Sequence, residues 1–107
     1  MATAPKSEIL HMAELVNYQD GSVVSRQITK ADAGNVTLFA FDKDQELSEH
    51  TAPFDALVHI LDGSAEIKIS GKVFNLATGD AIIMPANEPH ALKALTQFKM
   101  LLTMIRN

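Results

Sequence analysis

The chain's 107 residues suit one domain, expected to span 1–107, with a single core of modest size. A net charge of −4, with nine basic residues scattered singly, argues against a nucleic-acid partner, because phosphate binding needs clustered lysine and arginine. The absence of cysteine excludes disulfides, thiolate metal sites and thiol catalysis. The opening Met1-Ala2-Thr3-Ala4-Pro5-Lys6 lacks the apolar core of a signal peptide. No apolar run approaches the roughly 20 residues of a membrane helix, so no membrane partner and, by default, a cytoplasmic location are expected.

Residues 1–7 are small and polar and are expected to fray. Ile9 to Val16 can form a short helical turn or a lead-in strand. From there the chain reads as β, with short apolar runs between regular turn signals, the pattern of a sandwich or barrel. Gln19-Asp20-Gly21-Ser22 is a turn, Ser22 to Thr29 a strand, Asp32-Ala33-Gly34-Asn35 a turn, and Val36 to Phe41 a strand rich in β formers. Asp42 to Gln45 is a charged loop. Leu57 to Leu61 is a strand ending at Asp62-Gly63. Ala65 to Ile69 alternates apolar and charged residues and turns at Ser70-Gly71 into Lys72 to Leu76. Ala81 to Met84, His90 to Leu95 and Phe98 to Ile105 are the remaining strands, with a Pro85–Pro89 loop between the first two.

Two of these strands are apolar on both faces. In the first, Val58 and Ile60 oppose Leu57, His59 and Leu61; in the second, Phe98, Met100, Leu102 and Met104 oppose Leu101 and Ile105. A strand of this kind is covered on both sides. The outer face must meet another sheet, the N-terminal segment or a second subunit, and a homodimer is expected. His59 lies on that outer face, at an interface or edge, and His11 is expected to be exposed.

A period of two puts Glu46, Ser48, His50, Ala52 and Ala56 on one face, and His90, Leu92 and Ala94 on another. The segments around these histidines resemble the two-part signature of the cupin superfamily. In the first motif Asp44 stands at the initial glycine, His50 at the first histidine, Ala52 at the second, Ala56 at the glutamate and Gly63 at the final glycine. In the second, Gly79, Pro85 and His90 match, Asn87 replaces a glycine and Ala94 an asparagine. The resemblance covers about residues 34–105. It implies a small single-domain cupin: an all-β jelly-roll barrel, or double-stranded β-helix, of two antiparallel sheets, often dimeric. It also implies that His50 and His90 point into the barrel.

The resemblance further implies a divalent metal such as nickel, zinc, iron or manganese on a His, His, Glu, His set. This chain keeps the first and last ligands only. Two imidazoles hold a divalent ion weakly, so Glu46 or Asp55 would have to fill in, the latter if Pro53 bulges the strand. A metal-free pocket is equally compatible with the residues. Alanine at 52 and 56 leaves either space or a site refilled by Phe54, Met84, Met100 or Met104. Such a lining suits an apolar small molecule with one polar handle on the histidine pair, or is simply core. No serine sits in a plausible triad and no glycine-rich phosphate loop occurs. Two functional classes remain open. One is a binding module for a small-molecule ligand. The other is a small enzyme, either metal-dependent with a reduced ligand set (a dioxygenase, for example) or a metal-free isomerase or epimerase using His50 or His90 as a general base, a role that two opposed histidines would suit.

Overall fold

A computed structural model describes residues 3–106. Among the described residues nine strands follow one 3-10 turn, Met12–Glu14. They are β1 Val23–Ala31, β2 Gly34–Phe41, β3 Glu46–His50, β4 Phe54–Asp62, β5 Ser64–Ile69, β6 Lys72–Ala77, β7 Ala81–Met84, β8 His90–Ala94 and β9 Phe98–Arg106. They form a five-stranded sheet ordered β1-β2-β9-β4-β7 and a four-stranded sheet ordered β3-β8-β5-β6. Every pairing is antiparallel, and the two sheets make a jelly-roll barrel.

Local chemistry sets the turns. Ile69 pairs with Lys72 across a two-residue loop, and Ser70 and Gly71 adopt φ of 49° and 83°. That is the mirror-image turn whose twist matches a hairpin. Gly63 has φ of 80°, and a β-carbon there would come within 2.0 Å of the Gln97 carbonyl oxygen. Only glycine lets the β4–β5 corner close against that backbone.

Alternation fills the interior. Ala56, Val58 and Ile60 of β4, Phe98 and Met100 of β9, Ala65 and Ile67 of β5, and Leu92 and Ala94 of β8 are buried between the sheets. Phe41 and Phe98 stack with ring centroids 4.4 Å apart. A second apolar layer lies outside the larger sheet, where Ala4 and Val16 of the N-terminal segment pack with Ile28, Leu38 and Ala40. The N–H of Ala4 donates to the carbonyl of Ile28 at 2.8 Å. Of the segment expected to fray, Met1 and Ala2 lie outside the described residues. Ala4 is buried and hydrogen-bonded, which corrects the expectation for that position.

The N-terminal segment thus covers the outer face of β1, β2 and part of β9. It does not reach the far side of the sheet. Leu57, Ile83 and Ile105 remain 38%, 63% and 56% exposed. Leu57 sits opposite Ile83 on one side and Thr103 on the other, and His59 between Ala81 and Leu101. These residues form one largely apolar stripe over β7, β4 and β9.

Candidate functional site

Two carbonyls prepare the histidine pair. His50 ends β3 and His90 begins β8, and the two are register partners. Each imidazole bonds through Nδ1 to the backbone carbonyl two residues before it: His50 to Ser48 at 2.8 Å, His90 to Glu88 at 3.1 Å. A carbonyl only accepts, so each Nδ1 carries a proton in these bonds, and a ring that holds no second proton turns a bare Nε2 lone pair forward. Those two Nε2 atoms stand 3.1 Å apart, with the rings at 69°. Two lone pairs at that distance repel unless a proton or another cation lies between them. A proton shared between the two rings satisfies that contact, and so does another cation bound by both.

His90 is 5% exposed, while His50 is open to solvent. Burial pushes the His90 pKa below its ordinary value. The bond to the Glu88 carbonyl opposes that shift, and the neighbouring His50 adds to it. The chain segment carrying His90 is fastened from several directions. Asn87 N–H donates to the Ala52 carbonyl at 2.8 Å, Ser70 N–H to the Pro89 carbonyl at 2.8 Å, and Ser70 Oγ to Glu88 at 2.8 Å.

Behind the imidazoles lies a cavity of about 60 Å³, lined by Leu47, Ala52, Ala56, Met84, Leu92, Met100, Leu102 and Met104 along with both histidines. Its floor is a row on the larger sheet, where Ala56 has Met84 directly opposite on β7 and Met104 directly opposite on β9. The volume equals that of about two waters in the liquid.

Of the residues that the sequence singles out, His50, His90, Ala52, Ala56, Met84, Met100 and Met104 line this cavity. Three do not. Phe54 has the inward parity but lies at the end of β4 opposite Arg106, whose guanidinium sits 5.1 Å over its ring. Glu46 faces outward opposite Lys93. The reason is a bulge: Leu47 pairs with Leu92 and His50 with His90, so Ser48 and Glu49 on β3 stand against Ala91 alone on β8. The extra residue turns both Leu47 and His50 inward and carries Glu46 away from its expected face. Asp55 is also elsewhere. Its Oδ1 accepts from the Ala86 N–H at 2.9 Å and so holds the β7–β8 loop. Leu47 escaped sequence reasoning because strict alternation puts it outside.

The two imidazoles supply half of the ligand set that the first-motif pattern implies for a divalent metal. Among the described residues, no three His, Cys, Asp or Glu side chains converge on a point. The residues present do not fit that four-ligand ion. At 3.1 Å the two Nε2 atoms are too close for a substrate carbon to lie on the line between them.

A second cleft, around Tyr18, Asp42, Asp62 and Gly63, is internally satisfied. The Tyr18 hydroxyl donates to Asp62 at 2.6 Å; burial, and then Asp62, raise its pKa. Asp42 accepts from the N–H groups of Gly21 and Lys43 and from Gln97, and these bonds lower its pKa.

A jelly-roll barrel with paired histidines from adjacent strands defines a class of small β-barrel proteins. Residues 37–106 match the cupin domain family, and the chain belongs to it. A conserved protein of unknown function from Streptococcus pyogenes is 34% identical, with a TM-score of 0.91, over 100% of this chain and 96% of that one. A cupin superfamily protein from Desulfitobacterium hafniense is 27% identical with a TM-score of 0.91, over 99% and 97%. A cupin 2 conserved barrel domain protein from Leptotrichia buccalis is 38% identical with a TM-score of 0.88, over 91% of this chain and 47% of that one. No curated protein matches the chain at a significant level.

Proposed function

We propose that this cupin-domain protein is a binding module for a small ligand that offers a positively polarised group to the His50–His90 pair. The observation that carries this reading is the 3.1 Å approach of two Nε2 atoms whose Nδ1 partners are both backbone carbonyls. The 60 Å³ cavity is well below the roughly 300 Å³ at which pockets begin to enclose drug-sized molecules. It admits one small head group past the exposed His50, while any larger body stays at the mouth. The apolar wall offers no nucleophile and no acid, which favours binding over turnover.

The experiment is a thermal-shift and imidazole NMR survey with small amines, alcohols and metal ions, on wild type and His50→Ala. A ligand of this site raises Tm in wild type, moves the Nε2 resonances of both histidines and loses its effect in the variant. Protection that survives His50→Ala overturns the assignment.

We also propose that two copies of the chain pair through the stripe of Leu57, His59, Ile83 and Ile105. The support is physical. The N-terminal segment covers the rest of that sheet face, and isoleucines exposed in a row on one sheet are what a second apolar surface would bury.

A further inference from the structure

We infer that the cavity between the imidazole pair and the methionine row is a site for a soft monovalent cation, copper(I), held by both Nε2 atoms and by the thioethers of Met84 and Met104. This rests on the imidazole pair being the binding site and gives its occupant a definite chemistry.

The nitrogen separation sets the geometry. At metal–nitrogen lengths of about 2.0–2.1 Å, a gap of 3.1 Å closes an N–metal–N angle of about 100°. A linear two-coordinate ion would hold the nitrogens about 4 Å apart at the same bond length. The bent angle calls for further donors. Register provides them: Met84 and Met104 flank Ala56 on the sheet that faces the histidines, and both line the same cavity. Alanine between two methionines leaves the space into which the thioethers can turn. Methionine is flexible enough to reach an ion there.

The donor set then selects the ion. Thioethers are soft and favour copper(I), whereas nickel, iron and manganese prefer imidazole or oxygen donors. Charge points the same way. No carboxylate lines the cavity, so a bound cation keeps its full charge in apolar surroundings. The desolvation cost of an ion grows with the square of its charge, which disfavours a divalent ion about fourfold relative to a monovalent one. Both Nδ1–carbonyl bonds hold the ligand tautomer in advance, as outer partners of metal-bound histidines do.

The test is an anaerobic titration with copper(I) against a chromophoric chelator, with zinc(II) and nickel(II) as controls. X-ray absorption of the loaded protein reads the donor atoms. Wild type should bind one equivalent of copper(I), at least tenfold more tightly than zinc or nickel, with sulfur among the ligands. The Met84→Leu/Met104→Leu variant keeps the apolar volume and should bind copper(I) at least tenfold more weakly. If copper binding is unchanged in that variant but lost in His50→Ala, the thioether assignment falls and the imidazole site stands. Retention of copper in His50→Ala removes both. Failure to bind copper(I), or zinc bound as tightly as copper, overturns the inference alone, because the ligand survey tests the imidazole pair independently.

Discussion

Ala56→Val should make this protein more stable and cost it its ligand. Ala56 is 5% exposed, lies in the middle of β4 and borders the 60 Å³ cavity. The two added carbons can enter only that space. Cavities cost about 24 cal/mol per Å³, so closing this one recovers up to about 1.4 kcal/mol. Transfer of two carbons at about 0.8 kcal/mol each gives about 1.6 kcal/mol by a separate route. Fixing the valine side chain takes back about 0.5 kcal/mol, and its β-branch suits the strand. The net gain is about 1 kcal/mol. In a domain of this size that corresponds to a rise in Tm of about 4–8 °C.

Urea denaturation of metal-free protein in chelator measures it, with an unchanged m-value showing that the same surface unfolds. A loss of 1 kcal/mol or more would mean that Met84 and Met104 already fill the void, because overpacking costs about 1–3 kcal/mol. Stability gained by filling a functional cavity is the usual exchange between stability and activity.

Three further outcomes are expected. In metal-free protein, His90 has a pKa below its unfolded value, so the unfolded chain binds more protons as pH falls. Stability should hold above the ordinary imidazole value of about pH 6.5 and decline as the pH falls below it, where the unfolded chain takes up the proton first. His90→Met should flatten that decline in pH-stepped denaturation, and an equal slope in both proteins would contradict it. Ile83→Glu places a charge in the exposed stripe and should convert a dimer of about 23 kDa into a monomer by light scattering, since a standard interface tolerates no unpaired central charge; a wild type already monomeric at micromolar concentration refutes the pairing. Ala52→His with Ala56→Glu restores the two ligands that the cupin pattern implies and should raise zinc or nickel affinity at least about tenfold, or about 1.4 kcal/mol, by calorimetric titration. Equal affinity in both proteins would show that those positions do not face the imidazoles.

Much of the barrel is legible in the sequence because its signals are local. The Ser70-Gly71 turn, the alternation of Ala65–Ile69 and the doubly apolar β9 all state their structure within a few residues. The histidine pair is legible through motif spacing. What escapes is non-local. The strand Glu46–His50 is mostly exposed and rich in charge, so its identity as β3 comes from pairing with β8 and not from its own composition. The bulge in that pairing decides which of Glu46 and Leu47 faces the cavity, and no residue in Leu47-Ser48-Glu49-His50 announces it. Asp55 reads as a stray acid until the Ala86 N–H is seen beside it. Ala4 looks like a frayed terminus until Ile28 offers a carbonyl.

The two halves of the cavity belong to different sheets. The imidazoles come from β3 and β8 of the smaller sheet, and the Met84–Ala56–Met104 row from β7, β4 and β9 of the larger. Neither sheet alone encloses the cavity, so it exists only while the sheets are packed. An occupant that bridges them binds the folded barrel and not the open chain, and stabilises it by RT ln(1 + [L]/Kd), about 2.7 kcal/mol at a hundredfold excess over Kd. The division also separates what each half contributes. Backbone carbonyls fix the polarity of the histidine pair through the fold itself, independently of nearby side chains. The character of the bound group is set on the opposite sheet, where alanine stands in place of a carboxylate between two thioethers. A change at position 56 therefore alters what the barrel holds without disturbing how the imidazoles are presented.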